Sequence, residues 1–431
     1  MTNFTPEFFI QNEIDYIQFQ FTTLLGDLKA VEIPAKNWED MREGTGVDGS
    51  SLGFLATEQS DMRAIPDYST YSILPWDDGL ARFICDMYGN DGTPHPLDPR
   101  SIFKRVLNQA QEMGFTYLTR PELEWYFVTD NMVPADEAKY MATVPMDIFH
   151  FLRRQITDYM ILTFPKGAPH TIHHECGPGQ HEIELMKCEA LSQSDNVQTS
   201  KIIIKTVALE EEIIGTFMPK PFPDQAGNGL HIHQYLENEK GENVFSEESG
   251  VSDILRHFIG GTIKHIDALC AILNPSTNSY KRLVPDHEAP VYTAWGIANR
   301  TALMRVPGYE NKAHVEYRAG DASMNIYLGN AVLLAAGLDG IKKKIEPPAP
   351  TSKNVDNMTD KERKELGITQ LPKSLEEAVD AFEQSSFMKG VLGKPFMDIY
   401  IATKHEEIRE HKEAVEHGKE TEWERKKYLF C

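Results

Sequence analysis

The chain has 431 residues and carries 65 acidic against 43 basic side chains, a formal net charge of −22. This negative charge repels nucleic acid and anionic membranes, so we expect neither as a partner. With 41% apolar and 25% charged residues, the composition is that of a globular protein. The length predicts two domains and a large core.

The N-terminal residues and the cysteines together predict a cytoplasmic location. Residues 1–19 include acidic side chains and lack both a basic region and a long apolar run, so we expect no signal peptide. No stretch of the sequence is apolar enough to span a bilayer. The five cysteines are scattered, odd in number and without a CxxC pair, which favours reduced thiols.

The first 97 residues are predicted to form short strands and turns. Residues 17–21 alternate apolar and polar side chains, a turn follows at Gly26, and residues 28–33 form a second extended run. This pattern is typical of a β-hairpin.

A helix is predicted to begin next to the domain boundary. Asp98 is a favourable N-cap residue, Pro99 suits the first helical position, and Gly114 follows the apolar periodicity. We therefore place the N-terminal domain at residues 1–97 and the second domain at residues 98–431.

Further helices are predicted along the second domain. Residues 191–217 and 250–273 are expected to pack on a sheet, and the proline-rich residues 346–353 are expected to form a loop. The sequence Ser-Leu-Glu-Glu at 374–377 is typical of a capping box. The charged residues 403–427 predict one largely solvated helix.

Four short segments place acidic, histidine and arginine side chains on one face of an extended chain. Side chains alternate between the two faces of a strand, so residues two positions apart share a face. The pairs that share a face are Glu122 with Glu124, Glu182 with Glu184, His231 with His233, and Glu316 with Arg318. Glu175 lies shortly before the second pair.

These strands predict a site for hard divalent cations. An antiparallel sheet with one solvated face explains any single segment equally well. However, such faces usually carry lysine and threonine, whereas these carry almost only glutamate and histidine. Crowded carboxylates repel one another unless a positive charge lies between them. Oxygen and imidazole ligands without cysteine indicate Mg²⁺ or Mn²⁺ and argue against structural zinc.

Residues 274–307 contain three arginines around one acid, Glu288. Arg282, Arg300 and Arg305 offer rigid donors that suit carboxylate or phosphate, although a salt-bridged loop explains the segment equally well. Together with bound cations, these arginines favour phosphoryl transfer from a nucleotide. No GxxxxGK[ST] loop is present, so the nucleotide site must be of another kind. A generic metal-dependent phosphotransferase remains open at this point.

Ordered motifs along the chain resemble one known family. They are VDGSS (47–51), EQSDM (58–62), PELEWYF (121–127), HHECGPGQHE (173–182), GNGLHIH (227–233), NPSTNSYKRLVP (274–285), EAPVYTAW (288–295), NRTALMRVP (299–307) and EYRAGD (316–321). In this order they resemble type I glutamine synthetase over essentially the whole chain. The resemblance implies an α+β fold with an N-terminal β-grasp domain and a catalytic domain whose curved antiparallel sheet is flanked by helices.

The resemblance also implies the site residues. It places one cation on Glu124, Glu175 and Glu182, and a second on Glu122, His231 and Glu316. It assigns phosphate contacts to Arg300 and Arg305, nucleotide binding to His233, and glutamate binding to Gly227, Arg282 and Arg318. An ammonium pocket of Ser51, Tyr140 and Glu175 is implied, with Asp48 as proton acceptor and Glu288 as the acid that closes over the intermediate.

The implied reaction is the ATP-dependent joining of glutamate and ammonia through γ-glutamyl phosphate. Two or more Mg²⁺ or Mn²⁺ ions per site and ATP as co-substrate are implied. So is a homo-oligomer, a hexameric ring commonly doubled to a dodecamer. Asp48 lies in a different domain from the metal strands, which would allow a neighbouring subunit to supply it.

Several positions depart from the family pattern near the substrate. They are Ala226, Tyr235, the pair Ala138-Lys139, the pair Asp286-His287, the run 320–322 and Ile326. These departures leave open a γ-glutamyl ligase for methylamine, ethanolamine or a polyamine, and a catalytically silent relative is a further alternative. Asp356 and Ala56 occupy positions linked in some members to adenylylation and glutamine feedback, so we expect neither control.

Overall fold

The computed structural model describes residues 4–52, 55, 60–247, 250–285, 287–307 and 312–431. Two positions discussed above, Ala56 and Asp286, lie outside the described residues, as does part of the EQSDM motif. Among the described residues, no helix is both long and apolar enough to cross a membrane.

The N-terminal region is built on a five-stranded sheet. Its strands are β1 (Tyr16–Thr22), β2 (Leu28–Pro34), β3 (Thr45–Asp48), β4 (Asp61–Ile73) and β5 (Leu80–Gly89), in the order β2-β1-β5-β4-β3. The predicted hairpin is confirmed, because β1 and β2 pair antiparallel. β1 and β5 are parallel, and β4, at 13 residues, is longer than the short strands expected.

Short helices complete this region and enclose its aromatic core. They are α1 (Pro6–Gln11), a 3₁₀ turn (Ala35–Asn37) and α2 (Trp38–Met41). Phe9, Phe19, Trp38 and Phe83 are fully buried. The rings of Trp38 and Phe83 stack with centroids 5.2 Å apart. Apolar residues that alternate along β1 therefore bury one face of the sheet.

A nine-stranded sheet forms the centre of the second region. Its strands are β6 (Thr116–Val128), β7 (Pro169–His174), β8 (Gln180–Leu185), β9 (Cys188–Glu189), β10 (Ile214–Thr216), β11 (Leu230–Glu237), β14 (Trp295–Ile297), β15 (Met304–Val306) and β16 (Val315–Tyr317). The main order is β14-β15-β16-β11-β6-β8-β7, with β9 and β10 pairing with β6. All pairs are antiparallel except β14 with β15. A separate pair joins β12 (Ser246–Glu247) to β13 (Gly250–Val251).

Helices cover the apolar face of this sheet and form the C-terminal region. They are α3 (Pro99–Glu112), α4 (His150–Thr163), α5 (Ala190–Glu210), α6 (Asp253–Leu273), α7 (Ser279–Arg282), α8 (Ile326–Lys343), α9 (Asp360–Glu365), α10 (Leu375–Glu383), α11 (Ser386–Leu392), α12 (Lys394–Glu416) and α13 (Glu420–Tyr428). Leu123, Trp125 and Phe127 on β6 are fully buried in the same core as residues of α6 and α8. The acidic face of β6 therefore lies on the other side of the sheet.

The start of α3 is confirmed, since Asp98 accepts hydrogen bonds from the backbone N–H groups of Arg100 and Ser101. Two other helix predictions need correction. The helix expected at 191–217 ends at Glu210, because β10 follows. The helix expected at 403–427 is two helices with a break at Gly418, whose φ is +67°.

The predicted capping box is only half formed. Ser374 accepts from the backbone N–H of Glu377, as expected. The Glu377 carboxylate instead accepts from the backbone N–H of Lys373, at 2.8 Å. The Glu377 carboxylate therefore accepts from the N–H of the residue before the N-cap rather than from the N–H of the N-cap residue Ser374.

Arg100 at the start of α3 joins the two regions. Its guanidinium contacts Asp67 on β4 at 3.0 Å, Asp86 on β5 at 2.8 Å and Asp195 on α5 at 2.9 Å. The Tyr327 hydroxyl donates to Asp195 at 2.7 Å. A buried cation shared by three carboxylates is a strong link, because removal of Arg100 would leave all three without their guanidinium partner.

Candidate active site

The four predicted strands are neighbours in the second sheet, in the order β16-β11-β6-β8. Glu122 on β6 lies opposite His231 on one side and Glu184 on the other. Glu124 lies opposite Glu182, and His233 lies opposite Glu316. The alternation along each strand and the register between strands thus gather the acidic and imidazole side chains on one face.

A cleft of about 1210 Å³ opens over this face. The predicted site residues that line it are Glu122, Glu124, Tyr140, Glu175, Glu182, Gly227, His231, Arg282, Glu288, Arg300 and Arg318. His233, Arg305 and Glu316 lie beneath its floor, in contact with residues of the lining or with one another. Asp48 and Ser51 do not line the cleft of this chain.

Glu124, Glu175 and Glu182 form what we call the acidic cluster. His173 lies between two of them, with Nε2 3.1 Å from Glu182 and Nδ1 3.6 Å from Glu175. Ligand atoms of His173, Glu175 and Glu182 lie within 4.8 Å of one another, as do those of Glu124, Glu182 and His231. The two groups share Glu182, so one region of the cleft collects all three carboxylates.

Protons bind unusually tightly to the acidic cluster. Burial, together with the charges of Glu182 and Glu175, raises the pKa of Glu124 well above its usual range. Burial raises the pKa of Glu182 to about 7, with Glu122 and Glu175 adding to the effect. Burial also raises the pKa of Glu175. His173 and Arg282 oppose these shifts without cancelling them, and a divalent cation among the oxygens would add the further positive charge that favours ionisation.

Glu122, His231, His233 and Glu316 form what we call the paired cluster. Glu122 lies 3.0 Å from Nδ1 of His231 and 2.7 Å from Nε2 of His233. Burial raises the pKa of Glu122, but hydrogen bonds from the two imidazoles outweigh it and leave the pKa well below its usual range. The ligand atoms of Glu122, His231 and Glu316 also lie within 4.8 Å of one another.

Two arginines compensate the charge of Glu316. Arg305 contacts it at 2.6 Å, and Arg318, two residues along the chain, contacts its other oxygen. The predicted shared face of Glu316 and Arg318 is confirmed. Burial opposes ionisation, yet the charges of His233 and Arg318 lower the pKa of Glu316 to about 2. Its carboxylate is therefore ionised at neutral pH.

Glycine at position 229 allows three charged groups to approach one another. A Cβ there would lie 2.8 Å from Nη2 of Arg282, 2.8 Å from Nε2 of His231 and 3.2 Å from Glu124. The Gly229 N–H donates to Glu124 at 2.6 Å. Arg282 itself is held by the carbonyl of Ala319 at 2.8 Å. Any side chain at 229 would separate these groups.

Comparison with known proteins agrees with this geometry. The model of the glutamine synthetase catalytic domain matches residues 96–428, and that of the glutamine synthetase β-grasp domain matches residues 13–90. The chain belongs to the glutamine synthetase family. The prediction of this family, of an α+β fold with an N-terminal β-grasp domain, and of a C–N bond-forming ligase is confirmed.

Relatives match this glutamine synthetase family member over nearly the whole chain. A protein named glutamine synthetase from Pyrococcus horikoshii is 41% identical over 430 residues, covering 97% of this chain and 96% of its own length. One from Thermotoga maritima is 40% identical over 437 residues, covering 97% of each chain. A solved structure described as "Apo GmaS without ligand" is 30% identical, covers all of both chains and has a TM-score of 0.88. A "GmaS/ADP complex" matches equally well.

The mouth of the cleft carries three of the predicted residues. Tyr140, Glu288 and Arg300 are all exposed. The Tyr140 ring lies 5.6 Å from the ring of His173, edge to face. Asp356 also lines the cleft.

Asp48 and Ser51 lie together at the end of β3. Asp48 accepts from the Ser51 hydroxyl at 2.6 Å, and from the hydroxyl and the backbone N–H of Ser50 at 2.7 and 2.9 Å. The hydrogen bonds from Ser51 and Ser50 hold the pKa of Asp48 well below its usual range. Among the described residues, those lining the cleft include none from the first 97.

Sequence reasoning missed two residues that support the acidic cluster. His173 shares a strand face with Glu175, two positions later, so the alternation could have identified it. Gln180 donates to Glu124 at 3.3 Å and to the carbonyl of Gly227 at 3.1 Å. A glutamine at the start of a strand, as Gln180 is in β8, gives no comparable sequence signal, because its role depends on which strands lie beside it.

Proposed function

We propose that this protein is an ATP-dependent glutamate–ammonia ligase that makes L-glutamine through γ-glutamyl phosphate. The observation that carries the proposal is one cleft in which an uncompensated acidic cluster faces the arginines Arg282, Arg300 and Arg318. Family membership and the names of the relatives support the same reaction. The solved GmaS/ADP complex supports an adenine nucleotide as ligand.

The donor sets fit Mg²⁺ or Mn²⁺. One ion would be held by Glu124, Glu175 and Glu182, with His173 close by, and another by Glu122, His231 and Glu316. When bound, such ions neutralise phosphate oxygens and ease transfer of the phosphoryl group. The hard oxygen donors and the raised pKa values of the acidic cluster support this assignment.

The arginines bind the anionic parts of the substrates. Arg282 and Arg318 hold the glutamate carboxylates, and Arg300 and Arg305 contact phosphate, with His233 on the nucleotide side. Arg305 and Arg318 are bonded to Glu316 in this structure. If Glu316 were to hold a cation instead, both guanidinium groups would be available to substrate. Binding of the cation and of the anionic substrates is thereby linked through one carboxylate.

The amide-forming step requires ammonium to lose a proton. Ser51, Tyr140 and Glu175 bind the ammonium ion, and the ionised Asp48 accepts its proton. The acyl phosphate reacts readily with water, so Glu288, exposed at the cleft mouth, covers it.

Asp48 and Ser51 come from a neighbouring subunit in this proposal. Neither residue is among those lining the cleft of its own chain, which supports a shared site and therefore a homo-oligomer, a hexameric ring or its dodecamer. A mixing experiment tests this: Asp48→Ala and Arg300→Ala subunits, each inactive alone, regain activity in mixed rings. No recovery in rings shown to be mixed would rule out sharing.

The reaction itself is tested by phosphate release from ATP with glutamate and a panel of amines, in Mg²⁺ or Mn²⁺. We expect the highest kcat/KM with ammonium, because the acids of the pocket favour a small cation. A higher value with methylamine, ethanolamine or a polyamine would reverse the assignment. The departures Ala226, His287 and Gly320 would then explain the choice of amine, while the names of the relatives do not favour it.

A further inference from the structure

A buried aspartate and histidine lie directly behind the acidic cluster. Asp136 is 6% exposed and His174 is fully buried. One oxygen of Asp136 accepts from the N–H of Ala138 at 3.0 Å and from the N–H of Gly179 at 2.8 Å. The same oxygen lies 2.9 Å from Nε2 of His174.

The neighbours of His174 determine where its protons are. Its Nδ1 lies 2.7 Å from the carbonyl oxygen of Glu175, which can only accept, so Nδ1 donates. Its Nε2 faces the Asp136 carboxylate, so this nitrogen also donates. Asp136 and His174 are therefore a hydrogen-bonded pair that ends on the backbone of Glu175.

His181 lies close enough to suggest a metal triad. Ligand atoms of Asp136, His174 and His181 lie within 4.8 Å of one another. However, Nη1 of Arg153 lies 2.8 Å from Nδ1 of His181, and arginine can only donate. The proton of His181 is then on Nε2, which has no lone pair for a cation. Hydrogen bonds, rather than a metal ion, hold these side chains together.

The bonds of the pair reach three segments at the cleft, two of which carry members of the acidic cluster. The Ala138 N–H belongs to the loop that carries Tyr140, and the carbonyl of His174 accepts from Met141 in the same loop at 2.9 Å. The Gly179 N–H belongs to the turn before β8, which carries Glu182. The third contact is the backbone of Glu175 itself.

We propose that Asp136 and His174 are positioning residues that fix Glu175 and Tyr140, and so set the affinity of the cleft for the divalent cation and for ammonium. This inference rests on the proposed ligase activity for its ammonium part only. Residues behind metal ligands commonly change affinity by ~10–100-fold when substituted.

The test compares Asp136→Asn with Asp339→Asn in the full-length protein. Asp339 on α8 is a matched control because it lies 2.8 Å from Nε2 of His265, a similar pair away from the cleft.

The measurements are Mn²⁺ binding by calorimetry, KM for ammonium, KM for ATP and thermal stability. For Asp136→Asn we expect ~10-fold weaker Mn²⁺ binding and ~10-fold higher KM for ammonium, with KM for ATP unchanged. Asp339→Asn leaves all three constants unchanged.

Two further variants keep the proposal testable if Asp136→Asn does not fold. His174→Asn can still donate to the Glu175 carbonyl, whereas His174→Ala cannot, so we expect the asparagine to retain more Mn²⁺ affinity. Mn²⁺ affinity and ammonium KM that change no more than in Asp339→Asn would overturn the proposal. If the wild-type protein does not use ammonium, the ligase assignment fails, while Mn²⁺ binding alone still decides the role of the pair.

Discussion

The acidic cluster and the paired cluster lie side by side on one sheet yet balance their charge in opposite ways. Around Glu316 and Glu122, arginines and imidazoles keep the carboxylates ionised. Around Glu124 and Glu182, burial and like charges favour the protonated form. One half of the site is stable without a cation, whereas the other half is complete only when a cation is bound.

The largest expected effect follows from breaking the paired cluster. Glu316→Gln leaves Arg305 and Arg318 without their buried partner, so we expect the metal-free protein to lose about 3 kcal/mol in the free energy of unfolding. Urea unfolding in a chelator measures this. Glu407→Gln, which breaks the buried 2.9 Å contact with Lys404 away from the cleft, is the control. It should also lose stability but keep its affinity for Mn²⁺. If the free energy of unfolding of Glu316→Gln equals that of the wild-type protein, the two arginines have other partners.

The pH dependence of metal-free stability should separate the two clusters. For Glu316 the pKa falls from 4.5 to about 2 on folding, so its stabilisation is present above pH 4.5 and is lost as pH falls through about 2. For Glu182 the pKa rises from 4.5 to about 7, so stability is highest below pH 4.5 and is lost as pH rises through about 7. We expect each change to be about 3 kcal/mol.

Unfolding free energies from pH 2 to 8 in chelator give both limbs of this profile. Glu182→Gln should flatten the stability profile between pH 4.5 and 7 and leave the part below pH 4.5 unchanged. Saturating Mg²⁺ should remove the loss of stability between pH 4.5 and 7 in the wild-type protein. A profile that rises from pH 4.5 to 7 would contradict the charge balance described for the acidic cluster.

Removing one charge from the acidic cluster should have a smaller effect of opposite sign. We expect Glu124→Gln to stabilise the metal-free protein by about 1 kcal/mol, because one buried, uncompensated carboxylate is gone. Calorimetric melting with and without Mn²⁺ measures this. The wild-type protein should gain about 2.7 kcal/mol at a cation concentration of 100 times Kd, and the variant should gain much less. Destabilisation of the metal-free variant would show that Glu124 is already compensated.

The smallest effect on stability is expected at the cleft mouth. Glu288 is exposed, so Glu288→Ala should change the free energy of unfolding by less than about 0.5 kcal/mol. Amide formed per ATP consumed should nevertheless fall severalfold, because water reaches the acyl phosphate. Glu288→Gln keeps the size of the side chain but removes its charge, so its amide yield shows whether the charge or the covering side chain excludes water. A wild-type amide yield in Glu288→Ala would show that Glu288 does not close the site.

The shared strand faces were predictable because alternation is a local property. Glu122 with Glu124, and Glu316 with Arg318, needed only the period of two. The strand order was not predictable from these segments, since β11 lies between β6 and β16, which are far apart in the chain. The charge balance depends on that order. Sequence patterns therefore indicated a cation site but not which half of it is already compensated.

Local patterns also failed where two interpretations compete. The charged stretch 403–427 has helical composition throughout, and Gly418 gave the only signal for the break that occurs there. Glu377 could bond to the cap residue or to the residue before it, and backbone geometry decided for Lys373. His173 was detectable, since it stands two residues before Glu175, which directly follows β7.

The Arg100 contacts make the two regions a single cooperative unit. Its side chain is 3% exposed and bonds to two carboxylates of the first sheet, Asp67 and Asp86, and to Asp195 of α5. Opening of either region alone would leave a guanidinium or its carboxylates buried without a partner, which costs several kcal/mol. The chain should therefore melt in one transition rather than two. Residues 1–97 expressed alone would carry Asp67 and Asp86 without the cation that balances them.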